Sequence, residues 1–147
     1  MKDIPELNDV KTILDYGGGT GVYSQSYQNA GYETIYFDIY KPHNEYVKEH
    51  APQIKIVKKA ITTDLMSFIE VAEHMTDAEL NKLFQQIKPK YILFSSTSER
   101  NTEWDIHWGH VNIKEQPEWI EFWKNKGYGL LRELQQPTTW TKLFIKL

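Results

Sequence analysis

A chain of 147 residues with a net charge of −3 has the size of one domain built around one core. It contains no cysteine, which excludes disulfides and thiolate-held metals. Its negative balance speaks against a protein that grips nucleic acid by charge alone.

The chain opens with MKDIPELNDVK, which lacks the apolar region of a signal peptide. No apolar run reaches the roughly 20 residues of a membrane helix, so a cytoplasmic protein with no membrane partner is expected. "TILDY" (Thr12 to Tyr16) reads as a buried strand, and a glycine-rich turn follows it. "VYSQSYQNA" reads as a short helix that stops at Gly31. "TIYFD" (Thr34 to Asp38) is a second strand, "NEYVKEH" a short helix, and "IKIV" (Ile54 to Val57) a third strand. "LMSF" (Leu65 to Phe68) is a fourth. Thr76 and Glu79 have the spacing of a capping box, and Leu80, Leu83, Phe84 and Ile87 then share one helical face. "YILFSS" (Tyr91 to Ser96) is a fifth strand, and the stretch from Thr97 to Gln116 reads as an irregular loop. Pro117 opens a helix that Gly127 closes. The last segment reads as two strands around Gln136 and Pro137.

Alternating strands and helices predict an α/β fold with a largely parallel sheet. The short final connection forces an antiparallel pair at the end. Trp119, Phe122 and Trp123 read as packing residues, and His43 and His50 as solvated surface groups.

The turn LDYGGGTG carries the pattern D-x-G-x-G-x-G at Asp15, Gly17, Gly19 and Gly21. Ligands of open α/β sheets bind where strands end and helices begin, and a glycine turn there lets them approach the backbone. The dinucleotide fingerprint G-x-G-x-x-G fails in both registers, because its last glycine falls at Val22 or at Ser24. A nicotinamide-dependent oxidoreductase is disfavoured accordingly. Asp38 closes the second strand; a carboxylate there can accept both hydroxyls of a ribose, or simply hold the turn before Lys41 and Pro42.

With the glycine pattern, Asp38, the segment "EVAEH" (Glu70 to His74) and the final hairpin, the chain resembles the class I S-adenosylmethionine-dependent methyltransferases from Lys11 onward. The resemblance implies a Rossmann-like fold with a mostly parallel seven-stranded sheet in the order 3-2-1-4-5-7-6 and an antiparallel C-terminal strand. It implies one domain over residues 1–147. It implies S-adenosylmethionine as cofactor, with Asp15, Gly17, Gly19, Gly21, Asp38, Ile39 and Glu70 on the cofactor. Tyr40, Ala60 and Ile61 stand beside Ile39 as adenine contacts by position. Asp64 is read as opening the fourth strand, although an adenine contact is the other reading.

The first strand begins at Thr12, which implies a short or missing N-terminal lid. A homo-oligomer or a partner protein would then complete it. The expected reaction is methyl transfer to an oxygen of a small-molecule or sugar acceptor. The alternative is a non-catalytic cofactor-binding subunit acting with a partner chain.

Glu70, Glu73 and His74 fall at i, i+3 and i+4, which on a helical turn is one face. Two carboxylates and an imidazole suit Mg²⁺ or Mn²⁺. Some relatives in the resembled class use such a segment for a metal, while in others the glutamate faces the cofactor and the histidine packs. His107 and His110 are candidate general bases, since imidazole titrates near neutrality. The other reading of His110 is a loop-fixing residue.

Overall fold

The computed structural model describes residues 4–147. Its backbone contacts group into two compact units, one ending at Ser67 and the other beginning at Phe68.

In the first unit, β1 (Thr12–Tyr16) runs parallel to β2 (Glu33–Phe37), and β2 pairs in turn with the short β3 (Lys55–Ile56). Helices α1 (Val22–Asn29) and α2 (Lys41–His50) follow the first two strands. Ile13, Leu14, Ile35 and Tyr36 are buried side by side, as expected of parallel strands covered on both faces. Val47, Ala51 and Ile54 pack on Tyr36 from α2 and the loop after it. Asp64 Oδ2 accepts from the N–H groups of Lys11 and Thr12 and from the Thr12 hydroxyl at 2.8–2.9 Å. It therefore fastens the entrance of β1, consistent with its reading as a residue that opens the next strand.

β4 (Leu65–Ile69) begins in the first unit, where Leu65, Met66 and Ser67 pair with β1. The second unit adds α3 (Asp77–Gln86), β5 (Tyr91–Ser95), α4 (Thr102–Trp108), α5 (Gln116–Asn125), β6 (Tyr128–Glu133) and β7 (Lys142–Lys146). The strands form one sheet in the order β3-β2-β1-β4-β5-β7-β6, with β7 antiparallel to both β5 and β6. Thr76 caps α3 reciprocally with Glu79. Phe68, Phe84, Phe94, Trp119, Trp123 and Phe144 make an aromatic core of mostly edge-to-face contacts, an arrangement that suits ring quadrupoles.

One expectation fails. The stretch read as an irregular loop contains α4. Asn101 accepts the Trp104 N–H while Asp105 accepts the Asn101 N–H, and Gly109 ends the helix at φ 70°. Local capping holds this helix, and none of its residues is buried, so no apolar period marks it in the sequence.

Candidate active site

The turn after β1 is fixed from below. Gly17 and Gly18 donate to the Phe37 carbonyl at 2.7 and 3.2 Å, which ties the turn to the end of β2. The Tyr36 hydroxyl donates to the Gly19 carbonyl at 2.6 Å. Asp15 is only 2% exposed and accepts from the Ser24 hydroxyl at 2.6 Å. Burial pushes its carboxyl up to about 6, against the pull of the Ser24 bonds. Two glycines serve different ends. A Cβ at Gly18 would lie 2.6 Å from two Tyr36 ring carbons and 2.9 Å from Asp15 Oδ2, so this glycine answers to packing beneath the turn. Gly19 has φ 55°, and a Cβ there would meet nothing within 4 Å. Its backbone is bare on the side where a ligand would lie.

Asp38 follows β2 with a side chain 8% exposed. Its Oδ2 accepts from the Gly19 N–H at 2.9 Å and faces His43 Nδ1 at 3.1 Å, and its Oδ1 accepts from the Tyr40 N–H at 2.8 Å. Asn44 holds the same bend by donating to the carbonyls of Asp38 and Tyr40 at 2.9 and 3.0 Å. Asp38 thus acts as the turn residue of the second sequence reading, and it also lines a cavity of about 330 Å³ whose walls are the apolar Phe37, Ile39, Ile56 and Val57 together with Asn44 and three lysines, Lys41, Lys48 and Lys58. Ile39 is 92% exposed. The Asp38 carboxylate at the cavity wall and the apolar side chains of Phe37, Ile39, Ile56 and Val57 suit the ribose and adenine of an adenosyl group.

In the second unit, β4 ends at Ile69 and is followed by Glu70, which has the left-handed φ of 53°, a costly conformation for a residue with a Cβ. Its Oε1 accepts from the Ser95 hydroxyl and from Trp140 Nε1 at 2.9 Å, and its N–H donates to the Ser95 carbonyl at 2.8 Å. These bonds hold the bend. Ala72–His74 then form a single 3-10 turn, so Glu70, Glu73 and His74 do not share the helical face that their spacing predicts.

What gathers instead is Glu73, His74 and His110, whose ligand atoms lie within 4.8 Å of one another. Glu73 is buried and accepts from the Ser96 hydroxyl at 2.8 Å. Desolvation, and then the neighbouring Glu70 carboxylate, push Glu73 up to about 8. His74 Nδ1 lies 3.3 Å from the Gly109 carbonyl, and His110 Nδ1 lies 3.1 Å from Asp105 Oδ1. Both partners are acceptors, so each Nδ1 donates its hydrogen to them, and in the neutral ring the lone pair is on Nε2. Burial, and then His110, lower the His74 pKa, which keeps that ring neutral.

The structure therefore places His110, one of the two candidate bases, beside Glu73 and His74, two of the three expected metal ligands. Glu70 is outside that ligand group, bonded to Ser95 and Trp140. His107 lies on α4 between Trp104 and Trp108, with ring centroids 6.0 and 5.5 Å away, and does not join the cluster. Three participants went unnoticed in the sequence. His43 reads as a solvated residue in the sequence, yet it stands in the first turn of α2, facing Asp38. Asp105 stands five residues before His110, a link visible only once α4 exists. Trp140 reaches Glu70 across 70 positions, and no local signal marks it.

A sheet in this order with a glycine turn after β1 defines the class I, Rossmann-like methyltransferase fold. A family profile described as a methyltransferase domain matches residues 2–144, and the chain belongs to that family of S-adenosylmethionine-dependent methyltransferases. No curated protein matches the sequence. Among solved structures, a SAM-dependent methyltransferase from Archaeoglobus fulgidus is 16% identical, with a TM-score of 0.66 over 92% of this chain and 71% of its own. The mitomycin 7-O-methyltransferase MmcR is 14% identical, with a TM-score of 0.70 over 96% of this chain and half of its own length. The N-methyltransferase NodS from Bradyrhizobium japonicum is 14% identical, with a TM-score of 0.66 over 93% of this chain and 86% of its own. At these identities the likeness is one of fold. No helix among the described residues is long and apolar enough to cross a membrane.

Proposed function

We propose that this methyltransferase acts on an oxygen of a small-molecule or sugar acceptor, with Mg²⁺ or Mn²⁺ held by Glu73, His74 and His110. The observation that carries the reading is the orientation of the two imidazoles. Each has its Nδ1–H committed to a carbonyl or carboxylate, which is how metal-binding histidines are usually aimed. With a buried carboxylate beside them, the donor set of nitrogen and oxygen suits these cations.

S-adenosylmethionine supplies a methyl group on a sulfonium, which needs no activation by the protein. The cation, when bound, would favour the deprotonated form of an acceptor hydroxyl. The chain's own residues do the rest. Gly19 presents bare backbone to the cofactor, Asp38 accepts from its ribose, and Asp105 fixes the His110 ring. The same Asp105–His110 pair supports a second reading, in which His110 Nε2 takes the acceptor's proton directly.

Transfer of labelled methyl to a panel of phenols, catechols, sugars and amines, with and without a chelator, tests both. Activity on hydroxyl acceptors that is lost in chelator and restored by Mn²⁺ supports the first reading. Full activity in excess chelator removes the cation and leaves His110 as base. Methylation confined to amines overturns the oxygen acceptor.

A further inference from the structure

Asp38 is already nearly full. A carboxylate offers about four acceptor positions. The Gly19 N–H and His43 Nδ1 take both of those on Oδ2, and the Tyr40 N–H takes one on Oδ1. One position remains, whereas a ribose diol brings two O–H donors. For Asp38 to accept both, one present donor has to leave. Two of the three are backbone groups: the Gly19 N–H belongs to the turn that the Phe37 and Tyr36 bonds hold, and the Tyr40 N–H to the bend that Asn44 holds. His43 is different. Its side chain is 39% exposed, it stands in the first turn of α2, and its other described ring contact is an edge-on approach to Tyr40 at 4.8 Å. A side-chain rotation into water releases it at the cost of one hydrogen bond.

We infer that His43 is a stand-in for one ribose hydroxyl: it occupies Asp38 in the free protein and is displaced when the nucleoside binds. This inference rests on the assignment of Asp38 to the ribose. His43 is then a specificity-determining residue that works by competition. It keeps the carboxylate satisfied in the absence of ligand, and a nucleoside lacking its hydroxyls gains nothing from displacing it.

The test is calorimetric titration of the wild type and His43→Phe with S-adenosylhomocysteine and with its 2′,3′-dideoxy analogue. Phenylalanine keeps a ring against Tyr40 and removes the N–H. The variant should bind S-adenosylhomocysteine about 5- to 10-fold more tightly, the scale of one net hydrogen bond given up on displacement. The dideoxy analogue should bind both proteins equally. Unchanged or weaker binding of S-adenosylhomocysteine to the variant, with an unaltered melting temperature, overturns the inference, and so does an equal gain for the dideoxy analogue. Asp38→Ala separates the two levels. If it leaves the wild-type affinity intact, the ribose assignment itself falls; if it weakens binding while His43→Phe does not tighten it, only the competition falls.

Discussion

Replacing Asp15 by Asn should change how stability depends on pH, because the carboxyl beneath the glycine turn is buried beside Ser24 and titrates near 6 rather than at its ordinary 3.8. An acid whose folded pKa is raised binds its proton more tightly in the folded state. It contributes stability below the unfolded pKa and loses that contribution as pH rises through the folded pKa. At 1.36 kcal/mol for each tenfold change in proton affinity, the shift is worth about 3 kcal/mol. Because part of this is already lost at pH 4, the wild type should lose about 2.4 kcal/mol relative to Asp15→Asn between pH 4 and pH 7. At neutral pH the variant gains from having no charge to bury and gives back about 1 kcal/mol through a weaker bond to Ser24. Urea unfolding at half-unit pH steps measures this. Taking the difference between the two proteins cancels other titrating groups, including Glu73. A difference that stays flat from pH 4 to pH 7 would refute the claim that burial governs this carboxyl.

The two central glycines should separate packing from binding. Gly18→Ala should destabilise the fold by about 2–3 kcal/mol, since its methyl meets the Tyr36 ring; unchanged thermal unfolding would contradict it. Gly19→Ala should cost only about 1 kcal/mol of stability but weaken S-adenosylhomocysteine binding at least tenfold, read by calorimetry. Asp105→Asn should lower Mn²⁺ affinity about 10- to 100-fold by freeing the His110 ring, which electron paramagnetic resonance of the free ion can follow. Trp140→Phe removes the indole bond to Glu70 and should cost about 1–2 kcal/mol in urea unfolding.

Much of this molecule is legible in its sequence, for reasons that differ along the chain. The apolar strands and the face of Leu80, Leu83 and Phe84 follow from periodicity, and Thr76 with Glu79 from capping chemistry. The glycine turn is readable because few other needs explain so many glycines together. Helix α4 is not readable in that way, since capping rather than burial holds it. The departure at Glu70 has a related cause. A left-handed residue at the strand end is enforced by Ser95 and Trp140, both distant in sequence, so the helical spacing of "EVAEH" describes a turn that does not form. His43 is not legible as a partner of Asp38, because exposure and partnership are separate properties. A half-exposed ring can still own a buried carboxylate.

The distribution of the five tryptophans makes the chain its own optical probe. Trp119 and Trp123 are fully buried, and their indole nitrogens have no hydrogen-bond partner among the described residues. They should emit at the blue end and resist quenching by acrylamide. Trp104 and Trp108, 56% and 60% exposed on α4, should emit at the red end and be quenched readily. One unlabelled sample can thus report separately on the aromatic core and on the helix that carries Asp105. An occupant settling over α4 would protect the red component, while loosening of the core would expose the blue one.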